Sequence, residues 1–116
     1  VARPIMYGSY HPISIAVEEN ENREHVDVVV GGPLCESGDI FTQQEGGFVC
    51  TRSLPDAQVG EYLVLECAGA YGSVMGSNYN SKLLAAEVMI YDGMMHLIRR
   101  RQTYDALMVD ERVLGT

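Results

Sequence analysis

Glu87-Val88-Met89-Ile90-Tyr91-Asp92-Gly93-Met94-Met95-His96-Leu97-Ile98 is the stretch whose reading decides the fold. Two apolar runs flank Asp92-Gly93, a dipeptide that favours a two-residue type I′ turn because both of its positions tolerate positive φ. A β-hairpin is expected here. Outward from it, the other short apolar runs are bounded by Gly, Asn, Asp or Pro clusters and read as strands more than helices. Ile13 to Val17 runs into the charged stretch Glu18-Glu19-Asn20-Glu21-Asn22, which suits a hairpin tip. His25 to Val30 is a β-branched strand stopped by Gly31-Gly32-Pro33. Tyr62 to Cys67 is another, leading into Ala68-Gly69-Ala70-Tyr71-Gly72, where small residues let a second group approach the backbone. Arg99-Arg100-Arg101 reads as a solvated strand end, and Thr103 as the N-cap of a short helix that turns Leu107 and Met108 to the core. The expected architecture is mainly β, a small Greek-key-like barrel or sandwich with one or two short helices.

The chain has 116 residues, 47% hydrophobic and 21% charged, which suits a single domain over 1–116. Eight basic against sixteen acidic residues leave a formal charge of −8, the wrong sign for a nucleic-acid partner. No apolar run approaches the roughly 20 residues that span a bilayer, and Val1 to Tyr7 lacks the basic start and apolar centre of a signal peptide. A soluble, cytoplasmic protein without a membrane partner is expected. Cys35, Cys50 and Cys67 are odd in number without CxxC spacing, and His11, His25 and His96 form no ligand pattern, so neither a disulfide scaffold nor a metal site is expected. Lys82 is the sole lysine. Val1-Ala2-Arg3-Pro4 starts without Met or linker composition, which suits a piece of a longer polypeptide.

Reactive groups are densest in the turn Gly32-Pro33-Leu34-Cys35-Glu36-Ser37-Gly38-Asp39. An ordinary thiol is mostly protonated near neutral pH and can donate, while an ionised carboxylate beside it suits an ammonium group. The competing interpretation makes Cys35 a small buried hydrophobe and Glu36 a surface charge. Arg3 and Tyr7 are a second pair. Pro4 biases Arg3 to extended backbone, and strand residues four apart share a face, so guanidinium and phenol would converge on one carboxylate. A strand-edge Arg and a core Tyr account for the same spacing equally well. Tyr71, set between glycines, can aim its hydroxyl at a phosphate or carboxylate, or simply pack. Neither GxGxxG nor GxxxxGK[ST] is present.

Five segments, in order, resemble the C-terminal part of the diaminopimelate decarboxylase family: Ala-Arg-Pro-Ile-Met-Tyr-Gly-Ser-Tyr-His (2–11), Gly-Pro-Leu-Cys-Glu-Ser-Gly-Asp (32–39), Ala-Gly-Ala-Tyr-Gly (68–72), Ser-Asn-Tyr-Asn-Ser (77–81) and Leu-Ile-Arg-Arg-Arg-Gln-Thr-Tyr-Asp-Ala-Leu (97–107). The resemblance covers nearly the whole chain. It implies a pyridoxal-phosphate enzyme of the alanine racemase-like class that converts meso-2,6-diaminopimelate to L-lysine and CO₂ in lysine biosynthesis. An N-terminal TIM-type barrel there carries the Schiff-base lysine, and a C-terminal β domain completes the site. The cofactor withdraws electrons from the α-carbon, and the protein orients the substrate and delivers a proton.

Carried over by position, Cys35 matches the family's proton donor and Glu36 the residue that binds the distal amino group. Arg3 and Tyr7 match groups that hold the distal carboxylate, and Tyr71 a tyrosine that touches both cofactor and substrate. The resemblance also implies a homodimer in which Cys35 and Glu36 serve one active site, and Arg3, Tyr7 and Tyr71 the other. The barrel, tethering lysine and cofactor-phosphate loop are absent from these 116 residues, so this piece alone is expected to be inactive. Related ornithine, lysine or arginine decarboxylases, with Asp where Glu36 stands in the ornithine and arginine enzymes, and a non-catalytic regulatory β module are the alternatives.

Overall fold

Asp92 and Gly93 take positive φ values of 49° and 71°, so the two-residue turn forms as its chemistry dictates. In the computed structural model, which describes residues 2–16, 22–44 and 46–115, this turn joins two of eight strands. The strands are β1 (Ile13–Ile15), β2 (His25–Val28), β3 (Gln43–Gln44), β4 (Phe48–Val49), β5 (Arg52–Pro55), β6 (Leu63–Leu65), β7 (Glu87–Tyr91) and β8 (Met94–Arg99). One α-helix, α1 (Tyr104–Leu107), and three 3₁₀ turns, Pro4–Met6, Ser73–Met75 and Tyr79–Ser81, accompany them. The chain is thus mainly β with short helices, the 3₁₀ turns exceeding the one or two helices expected.

The chain divides into two compact units, residues 1–76 and 77–116. In the first, antiparallel pairing is nested: β1 pairs β6, β2 pairs β5 within that loop, and β3 pairs β4 within both. β1 therefore finds its partner some fifty residues downstream, not in the following strand as a hairpin tip at 18–22 would require. That tip falls largely outside the described residues. β6 is shorter than the run from Tyr62 to Cys67, yet bonds from Ala16 N–H to Tyr62 O (2.9 Å) and Glu66 N–H to Pro12 O (2.9 Å) continue the pairing at both ends. β2 stops at Val28, two residues early, because the Val30 amide donates to the Thr42 hydroxyl at 3.0 Å.

The core is small. Period-two alternation points Ile13 and Ile15 inward from β1, where they join Leu54 of β5, the buried apolar set of the described residues along with Pro4. Thr42, His11 and Asp39 are buried polar groups of the same unit.

In the second unit, β7 and β8 pair from Tyr91↔Met94 back to Glu87↔Arg99, with a register shift at Glu87/Val88. Arg99 Nη2 meets Glu87 Oε1 at 2.7 Å across that end. All six residues of β8 are exposed, Met95 to 74%. Thr103 caps α1 as expected, its Oγ1 accepting from Ala106 N–H at 3.1 Å. Leu107 is half-buried, but Met108 is 58% exposed instead of facing a core, because α1 ends after one turn and Met108 is already its C-cap.

Candidate functional site

Beyond β2, at Gly31-Gly32-Pro33, the chain closes a loop on itself. Gly31 bridges Ile40, Gly32 N–H donates to Asp39 O at 2.7 Å, and Phe41 N–H to Val30 O at 2.8 Å. The absence of a side chain at Gly32 is required: a Cβ there would lie 1.8 Å from Asp39 Oδ2. Above this base, Glu36 is held by its own turn, its Oε1 accepting from Gly38 N–H at 2.9 Å and its carbonyl from Asp39 N–H at 3.0 Å. Cys35, beside it, is an exposed free thiol, so the buried-hydrophobe interpretation of Cys35 is overturned.

The segment before β1 departs from expectation. Arg3 is left-handed (φ 50°, ψ 56°), and Pro4–Met6 forms a 3₁₀ turn closed by Met6 N–H donating to Arg3 O at 3.1 Å. Arg3 and Tyr7 are therefore not two residues of one strand face. Proline favours the first helical position, and Pro4 opens the turn there, while the residue before it is kept from right-handed helix. Tyr7 is 65% exposed and so is not a core tyrosine. What the turn brings together is Arg3 and Glu36, with Nη1 to Oε2 at 3.8 Å. That contact joins, within one chain, two residues that the expected dimer assigned to different sites. Ile5 packs beneath, its side chain 3.2 Å from where a Gly38 Cβ would stand.

Tyr71 meets Tyr7, ring centroids 5.6 Å apart and planes tilted by 53°. Its backbone is left-handed (φ 52°), an uncommon state for a residue with a Cβ. Gly72 after it is buried, and a Cβ there would lie 2.4 Å from Ala68 O, so the small residues serve a close approach of the chain to itself. Tyr71 O is met by His11 Nε2 at 3.1 Å and by Ser9 Oγ at 3.4 Å.

Two clefts result. One, of about 460 Å³, is lined by Arg3, Met6, Glu36, Ser37 and Val49. The other, of about 510 Å³, is lined by Tyr7, Ala70, Tyr71, Val74 and Met75. The first presents a guanidinium and a carboxylate side by side, each partly exposed, a charge pattern complementary to the carboxylate and ammonium of an amino acid. The second offers exposed phenols that can donate to an anionic group. Among the described residues no group of three or more His, Cys, Asp or Glu side chains is placed to hold a metal ion, and no helix is long and apolar enough to cross a membrane. Lys82 is exposed. Sequence reading missed Gly32, Asp39, Ser9 and His11 as supports of these groups; all four lie within motifs quoted for their neighbours.

Residues 1–69 match the family model described as pyridoxal-dependent decarboxylase, C-terminal sheet domain. Diaminopimelate decarboxylase of Escherichia coli strain K12 is 56% identical over 112 residues, covering 94% of this chain and 27% of that protein. The diaminopimelate decarboxylase of Buchnera aphidicola subsp. Acyrthosiphon pisum is 50% identical over 109 residues, covering 91% of the chain and 26% of that protein. A crystal structure of diaminopimelate decarboxylase superposes with a TM-score of 0.86 at 54% identity, over 98% of this chain and 28% of that one. The chain spans about a quarter of the length of the curated relatives it matches. With the family model covering more than half of its residues, the chain belongs to the pyridoxal-dependent decarboxylases, in their C-terminal sheet domain.

Proposed function

We propose that the 116 residues are the C-terminal β domain of a diaminopimelate decarboxylase, which converts meso-2,6-diaminopimelate to L-lysine and CO₂ in the cytoplasm. The barrel, the tethering lysine and the cofactor-phosphate loop then belong to another part of a longer polypeptide. The observation that carries this reading is the pair of opposite charges, Arg3 and Glu36, at one cleft. The distal end of diaminopimelate is itself an amino acid, and a substrate without a distal carboxylate leaves Arg3 nothing to hold.

Arg3 and Tyr7 bind the distal carboxylate, and Glu36 accepts from the distal ammonium. In the cleft, Arg3 Nη1 and Glu36 Oε2 stand 3.8 Å apart, so the two charges can face a carboxylate and an ammonium of one ligand. Bound pyridoxal phosphate supplies the electron withdrawal that lets CO₂ leave the α-carbon. Tyr71, about half exposed beside Tyr7, would touch cofactor and substrate through its phenol. The Cys35 thiol, exposed on the turn it shares with Glu36, hands its proton to the α-carbon after CO₂ has gone. The apolar faces of β7 and β8, uncovered within this chain, suit burial against the barrel or a second subunit.

The test is CO₂ release from meso-diaminopimelate, with L-ornithine and L-lysine as controls, by the full polypeptide that contains this sequence supplied with pyridoxal phosphate. Release from diaminopimelate alone is expected; release from none of them favours a non-catalytic regulatory module, and a preference for ornithine or lysine a related decarboxylase. Sharing of sites across a homodimer is tested by mixing Cys35→Ala with Arg3→Met subunits. Recovery of about a quarter of wild-type activity follows if the two residues serve each other's chains, since half of the dimers are mixed and each has one intact site. No recovery assigns both residues to one chain's site.

A further inference from the structure

His11 is the most deeply buried titratable residue among the described residues of the first unit, 3% exposed, and the chemistry above gives it no role. Its Nε2 lies 3.1 Å from the Tyr71 carbonyl oxygen, sixty residues away in sequence. A carbonyl only accepts, so Nε2–H is the donor of this bond; Nδ1 is buried without a hydrogen-bond partner. The imidazole thus gives its one hydrogen bond to a single backbone atom, that of a residue held in a left-handed conformation. Ser9 Oγ approaches the same oxygen at 3.4 Å. His11 is fixed in turn from β5, where Arg52 Nη1 donates to His11 O at 2.7 Å while its guanidinium lies 4.4 Å from the centre of the Tyr10 ring.

The geometry points to His11 as a positioning residue for Tyr71: it clamps the Tyr71 carbonyl, and through it the strained backbone that sets the phenol against Tyr7. This inference rests on the reading of Tyr71 as a tyrosine that meets substrate and cofactor. Without the clamp, the peptide after Tyr71 is free to leave the left-handed region, and the ring moves with it. Arg52, which holds the carbonyl of the clamping residue, belongs to the same support, and the Tyr10 ring faces its guanidinium.

Three variants of the full polypeptide separate this from a merely structural role. His11→Phe keeps a ring but no donor; His11→Gln keeps a donor at about the reach of Nε2; His11→Asn keeps a donor too short to reach. With 3-fluorotyrosine incorporated, the ¹⁹F signal of position 71, assigned by its loss in Tyr71→Phe, is expected to shift or broaden in His11→Phe and His11→Asn and to return in His11→Gln. The KM for meso-diaminopimelate is expected to rise about tenfold in the first two, the size of one lost hydrogen bond, and to recover in His11→Gln. Should His11→Phe fail to fold, the Asn and Gln variants carry the same comparison. An unchanged ¹⁹F signal in His11→Asn, or a Gln variant no closer to wild type than Asn, overturns the clamp. A wild-type polypeptide that shows the ¹⁹F pattern but releases no CO₂ keeps the clamp and overturns the substrate reading instead.

Discussion

Gly32→Ala tests how the Cys35-Glu36 turn is supported. The added Cβ would stand 1.8 Å from Asp39 Oδ2, 2.3 Å from its Cγ and 2.7 Å from Oδ1, all inside the 3.0 Å that real Cβ atoms almost never breach. The clash is steric alone, because Gly32, unlike Gly8 or Gly46, is not at positive φ. Asp39 is only 4% exposed, so its carboxylate has no open space to swing into, and the strand ends joined through Gly32 N–H and Asp39 O must part instead. Overpacking of this kind costs about 1–3 kcal/mol. Because the displaced loop carries Cys35, the proposed proton donor, a shift near 1 Å is expected to lower kcat by up to about 10²-fold. The measurement is denaturant unfolding and steady-state kcat of the full polypeptide for Gly32→Ala, Asp39→Ala and the double variant. Asp39→Ala removes all three clashing atoms, so the double variant is expected to unfold later and turn over faster than Gly32→Ala alone. Gly69→Ala, where a Cβ meets nothing within 4 Å, is the control and is expected to change stability by less than about 0.5 kcal/mol. A Gly32→Ala protein with wild-type midpoint and kcat, or a double variant no better than the single, would refute the reasoning.

Cys35→Ala in the full polypeptide is expected to lower kcat much more than it raises KM, because proton delivery follows substrate binding; equal activity removes Cys35 from that role. Thr103→Ala deletes the Oγ1 bond to Ala106 N–H and is expected to cost about 1 kcal/mol, read as loss of helicity or a lower unfolding midpoint, whereas Thr103→Ser should retain most of it. Glu61 is pulled down to about 2 from the ordinary 4.5, chiefly by the Arg23 guanidinium (2.6 and 2.7 Å) and then by Gln58 N–H (2.6 Å). A depressed carboxyl stabilises the fold fully above its ordinary value and loses that contribution as pH falls through 4.5 toward 2. The unfolding midpoints of wild type and Glu61→Gln are therefore expected to differ by a constant amount near neutral pH and to converge in acid; a gap that does not narrow there counts against the Arg23–Glu61 pairing.

The elements read correctly from sequence are those decided by a few adjacent residues. Asp92-Gly93 makes its turn and Thr103 caps its helix because φ preferences and a side-chain oxygen act within three or four positions. Gly31-Gly32-Pro33 does not set the end of β2, which stops at Val28 where a contact with distant Thr42 takes over. Errors arose where a local rule met a competing one. Pro4 was read as holding Arg3 in a strand, yet it opened a 3₁₀ turn, since both outcomes satisfy its fixed φ. A short helix capped by Thr103 points Leu107 and Met108 to a core, yet α1 ends after one turn and leaves Met108 as its exposed C-cap.

The candidate site divides in the same way. Cys35 and Glu36 are neighbours in sequence, and their shared turn was legible from the Gly and Pro that frame it. Pairing of β1 with β6, the meeting of Arg3 with Glu36 and the grip of His11 on Tyr71 span 33 to 60 positions and depend on which strands close on which. By itself the sequence determined the β character, the turns, the cap and the chemical inventory of the site, because these follow from backbone sterics and side-chain chemistry over a few residues. Only the tertiary structure decided that a guanidinium faces a carboxylate and that a buried imidazole holds a tyrosine's backbone, because the burial and partners of a side chain are properties of the closed fold and not of its neighbours along the chain.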